Sequence, residues 1–180
     1  MANKAYRPTA VITHWLIAVS IFFLFISSWW MLALPLPGPE FQFRAFPFQL
    51  HKNLGITLVF LLFLLLYVRL RHRPVPEQSP AMKPWMHKLA AIDHVILYLV
   101  IFACCISGYI SSSFSGWGTT LWWTVDLYHW GWEDEDLNML FSDIHLWTCW
   151  ALLGLIAVHI SGAIYHAFGN DGIVRRMLRL

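Results

Sequence analysis

The sequence predicts an all-α fold, an integral membrane four-helix bundle, on three observations. Of 180 residues, 58% are hydrophobic and only 12% are charged, against about 25% charged in an ordinary soluble domain. Four runs stay apolar over the roughly 20 residues that a helix needs to cross a bilayer. The basic residues cluster in alternate connections, as they do in multi-pass membrane proteins. The length suits a single domain over residues 1–180.

The first span, about Val11 to Leu34, contains no charge. It follows Lys4 and Arg7 much as the apolar region of a signal peptide would. The run is too long for that, and no small-residue cleavage site follows, so an uncleaved span is expected. The second span, about Leu50 to Leu70, carries Lys52 and Arg69 near its ends, where long side chains snorkel to the interface. RHRPVPEQSP, with three prolines, follows as an extended linker. The third span runs from about Ala91 to Ser112 and the fourth from about Ile144 to Phe168.

Ten of the twelve Lys and Arg lie at the N-terminus (Lys4, Arg7), in the middle connection (Arg69, Arg71, Arg73, Lys83, Lys88) or at the C-terminus (Arg175, Arg176, Arg179). Four spans put all three places on one side. Basic short loops stay in the cytoplasm, so both termini are expected there. The connection between the third and fourth spans is acidic instead, with Asp126, Glu133, Asp134, Glu135, Asp136 and Asp143. Cys104, Cys105 and Cys149 fall inside predicted helices and are expected to be small packing residues. No CxxCH for covalent haem attachment is present.

Nine histidines carry the functional signal. His72, His87 and His129 lie in loops or at span edges, and His94 near the start of the third span reads as a satisfied interfacial histidine. The fourth helix holds His145, His159 and His166. At about 100° and 1.5 Å per residue, His145 and His159 lie about 40° and 21 Å apart, and His166 continues the same stripe. Topology puts His51 and His145 at outer depth and His14 and His159 at inner depth. Two imidazoles facing each other across a bundle suit the axial positions of a b-type haem, so two stacked haems are expected. A zinc or copper site would gather three or four ligands at one depth, whereas only two ligands are expected to meet at each level here. The competing explanation is four isolated histidines, each hydrogen-bonded to a neighbouring helix. Gly55, Gly154 and Gly162 would let a macrocycle approach the backbone.

ITHWL around His14, HKNLG and YVRLRHRP around and after His51, DHVILYLV, and the His145–His159–His166 pattern followed by NDGIVRRML resemble the bacterial cytochrome b561 family over almost the whole chain. The resemblance implies a small dihaem cytochrome of the inner membrane, with His14, His51, His145 and His159 as haem b ligands. The activity it implies is superoxide oxidation, electrons passing by the outer and then the inner haem to ubiquinone near the cytoplasmic leaflet. Other family members have other donors, and related cytochromes serve hydrogenases.

His166 stands where a quinone headgroup could sit, with Lys4, Arg7 and Arg175 as possible neighbours, and imidazole titrates near neutral pH. Outside, Arg44 and Lys52 would help to draw in an anion, while WEDED would repel one unless it is a solvated turn pointing away. WEDED could instead dock a basic redox protein, making the chain the cytochrome b subunit of a larger complex. A haem-free tetraspan protein is the remaining alternative. The aromatic loop holding Trp117, Trp122, Trp123, Trp130 and Trp132 suits lipid headgroups or a lid over the outer haem. No nucleic-acid partner is expected.

Overall fold

The computed structural model describes residues 8–33, 41–71, 83–169 and 174. Lys4, Arg7, His72, Arg73, Arg175, Arg176, Arg179, most of the proline-rich linker and the side chain of Arg44 lie outside the described residues. Four long helices form: α1 (Pro8–Ala33), α2 (Phe41–Arg71), α3 (Pro84–Phe114) and α4 (Glu135–Phe168). All four are long and apolar enough to cross a membrane. "Outer" and "inner" below follow the orientation expected from the charges.

Three helices begin well before their expected starts, two of them at a clear local start signal. α2 runs back to Phe41 and takes in Pro47, buried inside it, at the loss of one backbone hydrogen bond. α3 opens on Pro84 at its first helical position, where a missing N–H costs nothing. α4 opens at Glu135, nine residues before the expected Ile144, because the Asp134 carboxylate accepts the Leu137 N–H at 3.0 Å and caps it. Glu135 and Asp136 in its first turn then favour the positive end of the helix dipole. The acidic run is thus, in large part, a helix start.

α1 packs along α2 and α3 along α4, while α2 and α3 join the two pairs more thinly. The seams follow alternating steps of four and three, the spacing of left-handed bundles. On α1 the seam reads Ala10, His14, Ile17, Ile21, Leu24, Ser28, Met31, and on α2 His51, Gly55, Leu58, Leu62, Leu65. On α3 it reads Ala90, His94, Leu97, Ile101, Cys104, Gly108, and on α4 His145, Cys149, Leu152, Ile156, His159, Ala163, His166. Its middle is the apolar core, with Ile17, Ile21, Leu58, Leu62, Leu65, Leu97, Ile101 and Leu152 buried together. The polar residues therefore sit in the same stripes, above and below that core.

A hairpin, β1 (Thr120–Leu121) with β2 (Val125–Asp126), connects α3 to α4. Thr124 N–H closes its turn on Leu121 O at 3.0 Å. Trp122 and Trp123 hold φ of 44° and 58°, a left-handed backbone that costs bulky residues about 1–3 kcal/mol each. Contacts with α2 offset that strain. Trp122 N–H donates to Asn53 Oδ1 at 3.0 Å, its indole N–H to Thr57 Oγ1 at 3.1 Å, and Trp123 stacks on Phe46 at 5.4 Å.

Candidate functional site

The seams bring four of the histidines into two facing pairs. The rings of His51 and His145 lie 6.3 Å apart with planes crossing at 86°. Those of His14 and His159 also lie 6.3 Å apart, at 52°. Two imidazoles binding one ion from opposite sides through bonds of about 2 Å have ring centres about 6 Å apart. Both separations fit a single iron between each pair.

Hydrogen bonds orient three of these rings. His145 Nδ1–H donates to Cys104 O at 2.8 Å, and His159 Nδ1–H to the Asp93 carboxylate at 2.7 Å. His51 Nδ1 lies 3.2 Å from Ser28 Oγ. That hydroxyl already spends its proton on Leu24 O at 2.6 Å, so it accepts from His51. In all three the proton is assigned to Nδ1, which leaves the Nε2 lone pair for a metal. Such outer partners fix tautomer and ring orientation in metal sites.

Neighbours beyond the histidines complete each level. At the outer level Cys104 Sγ stands 3.3 Å from Cys149 Sγ, and each sulfur lies 3.7 Å from a nitrogen of His145. Cys104, His145 and Cys149 together could hold a metal ion. The expectation that only two ligand-type residues meet at each level therefore does not hold, because packing of α3 on α4 joins residues distant in sequence. A Cβ built on Gly108 would stand 3.0 Å from His145 Cε1 and Nδ1, so glycine lets the ring lie against α3. At the inner level His94 donates from Nδ1 to Ala90 O at 2.6 Å and meets His159 edge-on at 5.2 Å. Its backbone bond is the one expected of a satisfied histidine, but its ring belongs to the inner cluster rather than to the interface alone.

Of the glycines expected beside a macrocycle, Gly55, Gly154 and Gly162 all face space with nothing within 4 Å of an added Cβ. Gly55 shares the His51 face, whereas Gly154 lies about 180° around α4 from His145. Only Leu152 is buried on α4. Ser28, Asp93, Cys104 and Gly108 were not singled out for a site by sequence reasoning. The four–three seam would have found Ser28, Cys104 and Gly108. Asp93 carries its own signal, as the lone acidic residue between Trp85 and Phe114, since intramembrane charges are rare and functional.

His166 is half-buried in the last turn of α4, with its ring 5.6 Å from Tyr165. Outside, Lys52 Nζ reaches Gly118 O at 3.5 Å. Partial burial, and after it the nearby charge of Lys52, depresses the His129 pKa. The hairpin lies on α2 through Asn53, Thr57 and Gln49, whose Nε2 donates to Thr120 O at 2.7 Å.

A family model described as prokaryotic cytochrome b561 matches residues 5–180. Cytochrome b561 homolog 2 of Escherichia coli (strain K12) is 28% identical over 187 aligned residues, covering 97% of this chain and 92% of that protein. Cytochrome b561 homolog 1 of the same organism is 28% identical over 135, covering 72% and 73%. Four membrane-length helices, paired imidazoles and a match along nearly the whole chain lead to one conclusion. The chain belongs to the prokaryotic cytochrome b561 family, and is a multi-pass b-type cytochrome of the bacterial inner membrane that carries electrons across it.

Proposed function

We propose that the chain binds two b haems, one between His51 and His145 and one between His14 and His159, and acts as a superoxide:ubiquinone oxidoreductase. The observation that carries this is the repeated pair, two facing imidazole couples with the same 6.3 Å separation at the two ends of one bundle. Bound there, the haems supply one-electron transfer between the two membrane faces. The protein's part is orientation. Ser28, Cys104 O and Asp93 hold three Nδ1 protons, and Gly108 leaves space for the His145 ring.

The chemistry balances as follows: two superoxide ions each give up one electron and leave as dioxygen, and ubiquinone takes up both electrons with two protons. Lys52 near the outer pair favours an anionic donor. The helix-capping role of Asp134, with Glu135 and Asp136 in the same turn, accounts for much of the acidic run without a docking protein. With both termini in the cytoplasm, His166 lies on the quinone side, and its imidazole can donate and accept protons there. The alternative, a cytochrome b subunit fed by a partner protein, keeps the same haem sites and changes only the donor.

The test joins a haem-to-protein ratio with superoxide generated in the presence of protein and ubiquinone. Two haems per chain are expected, falling to one in His51→Ala and in His159→Ala, with quinol formed only by the intact protein. Haem-free protein sinks the dihaem assignment. Quinone left untouched while the haems stay oxidised sinks the superoxide route. His166→Ala should keep both haems and slow quinol formation; an unchanged rate removes its role.

A further inference from the structure

Three hydrogen bonds to the paired histidines differ in one respect. His51 meets a hydroxyl and His145 a backbone carbonyl, both neutral. His159 meets a carboxylate: Asp93 Oδ2 lies 2.7 Å from its Nδ1, and the two side chains are only 15% and 28% exposed. A carboxylate inside a transmembrane helix is costly, and its placement on a candidate ligand needs an account beyond packing.

We propose that Asp93 is a positioning residue that lowers the reduction potential of the inner haem, making it the stronger reductant toward a quinone-class acceptor; this rests on the dihaem assignment above. The physics has two parts that act in the same direction. A ferric haem carries one more positive charge than a ferrous one, and a nearby anion in a low-dielectric surround stabilises the more positive state. A strong Nδ1–H···carboxylate bond also makes the imidazole a better electron donor, as second-shell carboxylates do for metal-bound histidines. Neither effect operates at His51 or His145, where the acceptors are uncharged. The two haem sites are thus chemically unequal although their ring separations match. The inequality leaves the electron mostly on the outer haem at equilibrium and makes the inner haem, once reduced, the stronger donor.

The test is a spectroscopic redox titration of the purified, haem-loaded protein, comparing wild type with Asp93→Asn and Asp93→Glu. Each is also made with His51→Ala, so that the inner haem is read alone. Asp93→Asn keeps an oxygen to accept the His159 proton but loses the charge. At a fixed ambient potential it should raise the reduced-to-oxidised ratio of the inner haem by tenfold or more, about 59 mV for a one-electron couple. The outer haem should not move, and Asp93→Glu should return toward wild type. An inner midpoint unmoved in Asp93→Asn, or a shift confined to the outer haem, overturns the proposal. If Asp93→Asn fails to retain the inner haem, Asp93→Glu decides: a wild-type midpoint supports the charge effect and a raised one overturns it. Wild-type protein with fewer than two haems would instead refute the dihaem assignment, so the two failures are distinct.

Discussion

Replacing Gly108 by alanine tests the outer site at its tightest point. The added Cβ would stand 3.0 Å from His145 Cε1 and Nδ1 and 3.6 Å from its Cγ, where carbon atoms prefer about 3.5–4.0 Å. A free imidazole could swing aside. One held between an iron and Cys104 O, 2.8 Å from its Nδ1, cannot do so without loosening one of those bonds. Overpacking of this kind costs about 1–3 kcal/mol. Alanine also favours the helix by about 1 kcal/mol over glycine, but that gain is common to the haem-free and haem-bound states and cancels in affinity. Outer-haem affinity should therefore fall about 5- to 150-fold, at 1.4 kcal/mol per tenfold. The assay is haem retention against an excess of a haem-scavenging protein, read as haem per chain over time. Gly154→Ala, where nothing lies within 4 Å, should behave as wild type. An outer haem held as tightly in Gly108→Ala as in wild type would refute the reasoning.

With iron bound, ring planes at 86° in the outer pair would leave the orbitals that π-bond with imidazole nearly degenerate, whereas 52° in the inner pair would separate them. Ferric protein should then give two distinct low-spin electron paramagnetic resonance signals, the more anisotropic one vanishing in His51→Ala; its loss in His159→Ala alone would contradict the geometry. Ser28→Ala leaves the His51 Nδ1–H without its acceptor at 3.2 Å and should weaken outer-haem retention about tenfold, the low end for such partners, while inner-haem retention stays constant. Asp134→Ala removes the cap on Leu137 N–H and should cost about 1 kcal/mol, seen as faster amide hydrogen exchange in the first turns of α4. Exchange no faster than wild type there would show that the cap contributes nothing.

Four spans, the stripe of histidines on α4 and the two pairs of rings were legible from the chain because each depends on local quantities. Hydrophobic length marks a span, and helical repeat with alternating direction puts His51 level with His145 and His14 level with His159. Boundaries were less legible. Pro84 stands at the first position of α3, where a helix tolerates proline, Pro47 stands inside α2, and WEDED looks like a docking patch until Asp134 is seen capping α4. His94 illustrates the limit within one residue: its bond to Ala90 O is local, while its contact with His159 depends on how α3 meets α4.

By itself, then, the amino-acid order determined a membrane bundle and which histidines share a depth, since both follow from hydrophobicity and periodicity along single helices. Which groups support those histidines was decided only by tertiary structure. Asp93 and His159 are 66 residues apart, Cys104 and His145 are 41 apart, and Ser28 and His51 are 23 apart. Those contacts exist because packing fixes how each helix is rotated and how deep it sits against its neighbour. Hydrogen bonds depend on tenths of an ångström, which no single-helix repeat specifies.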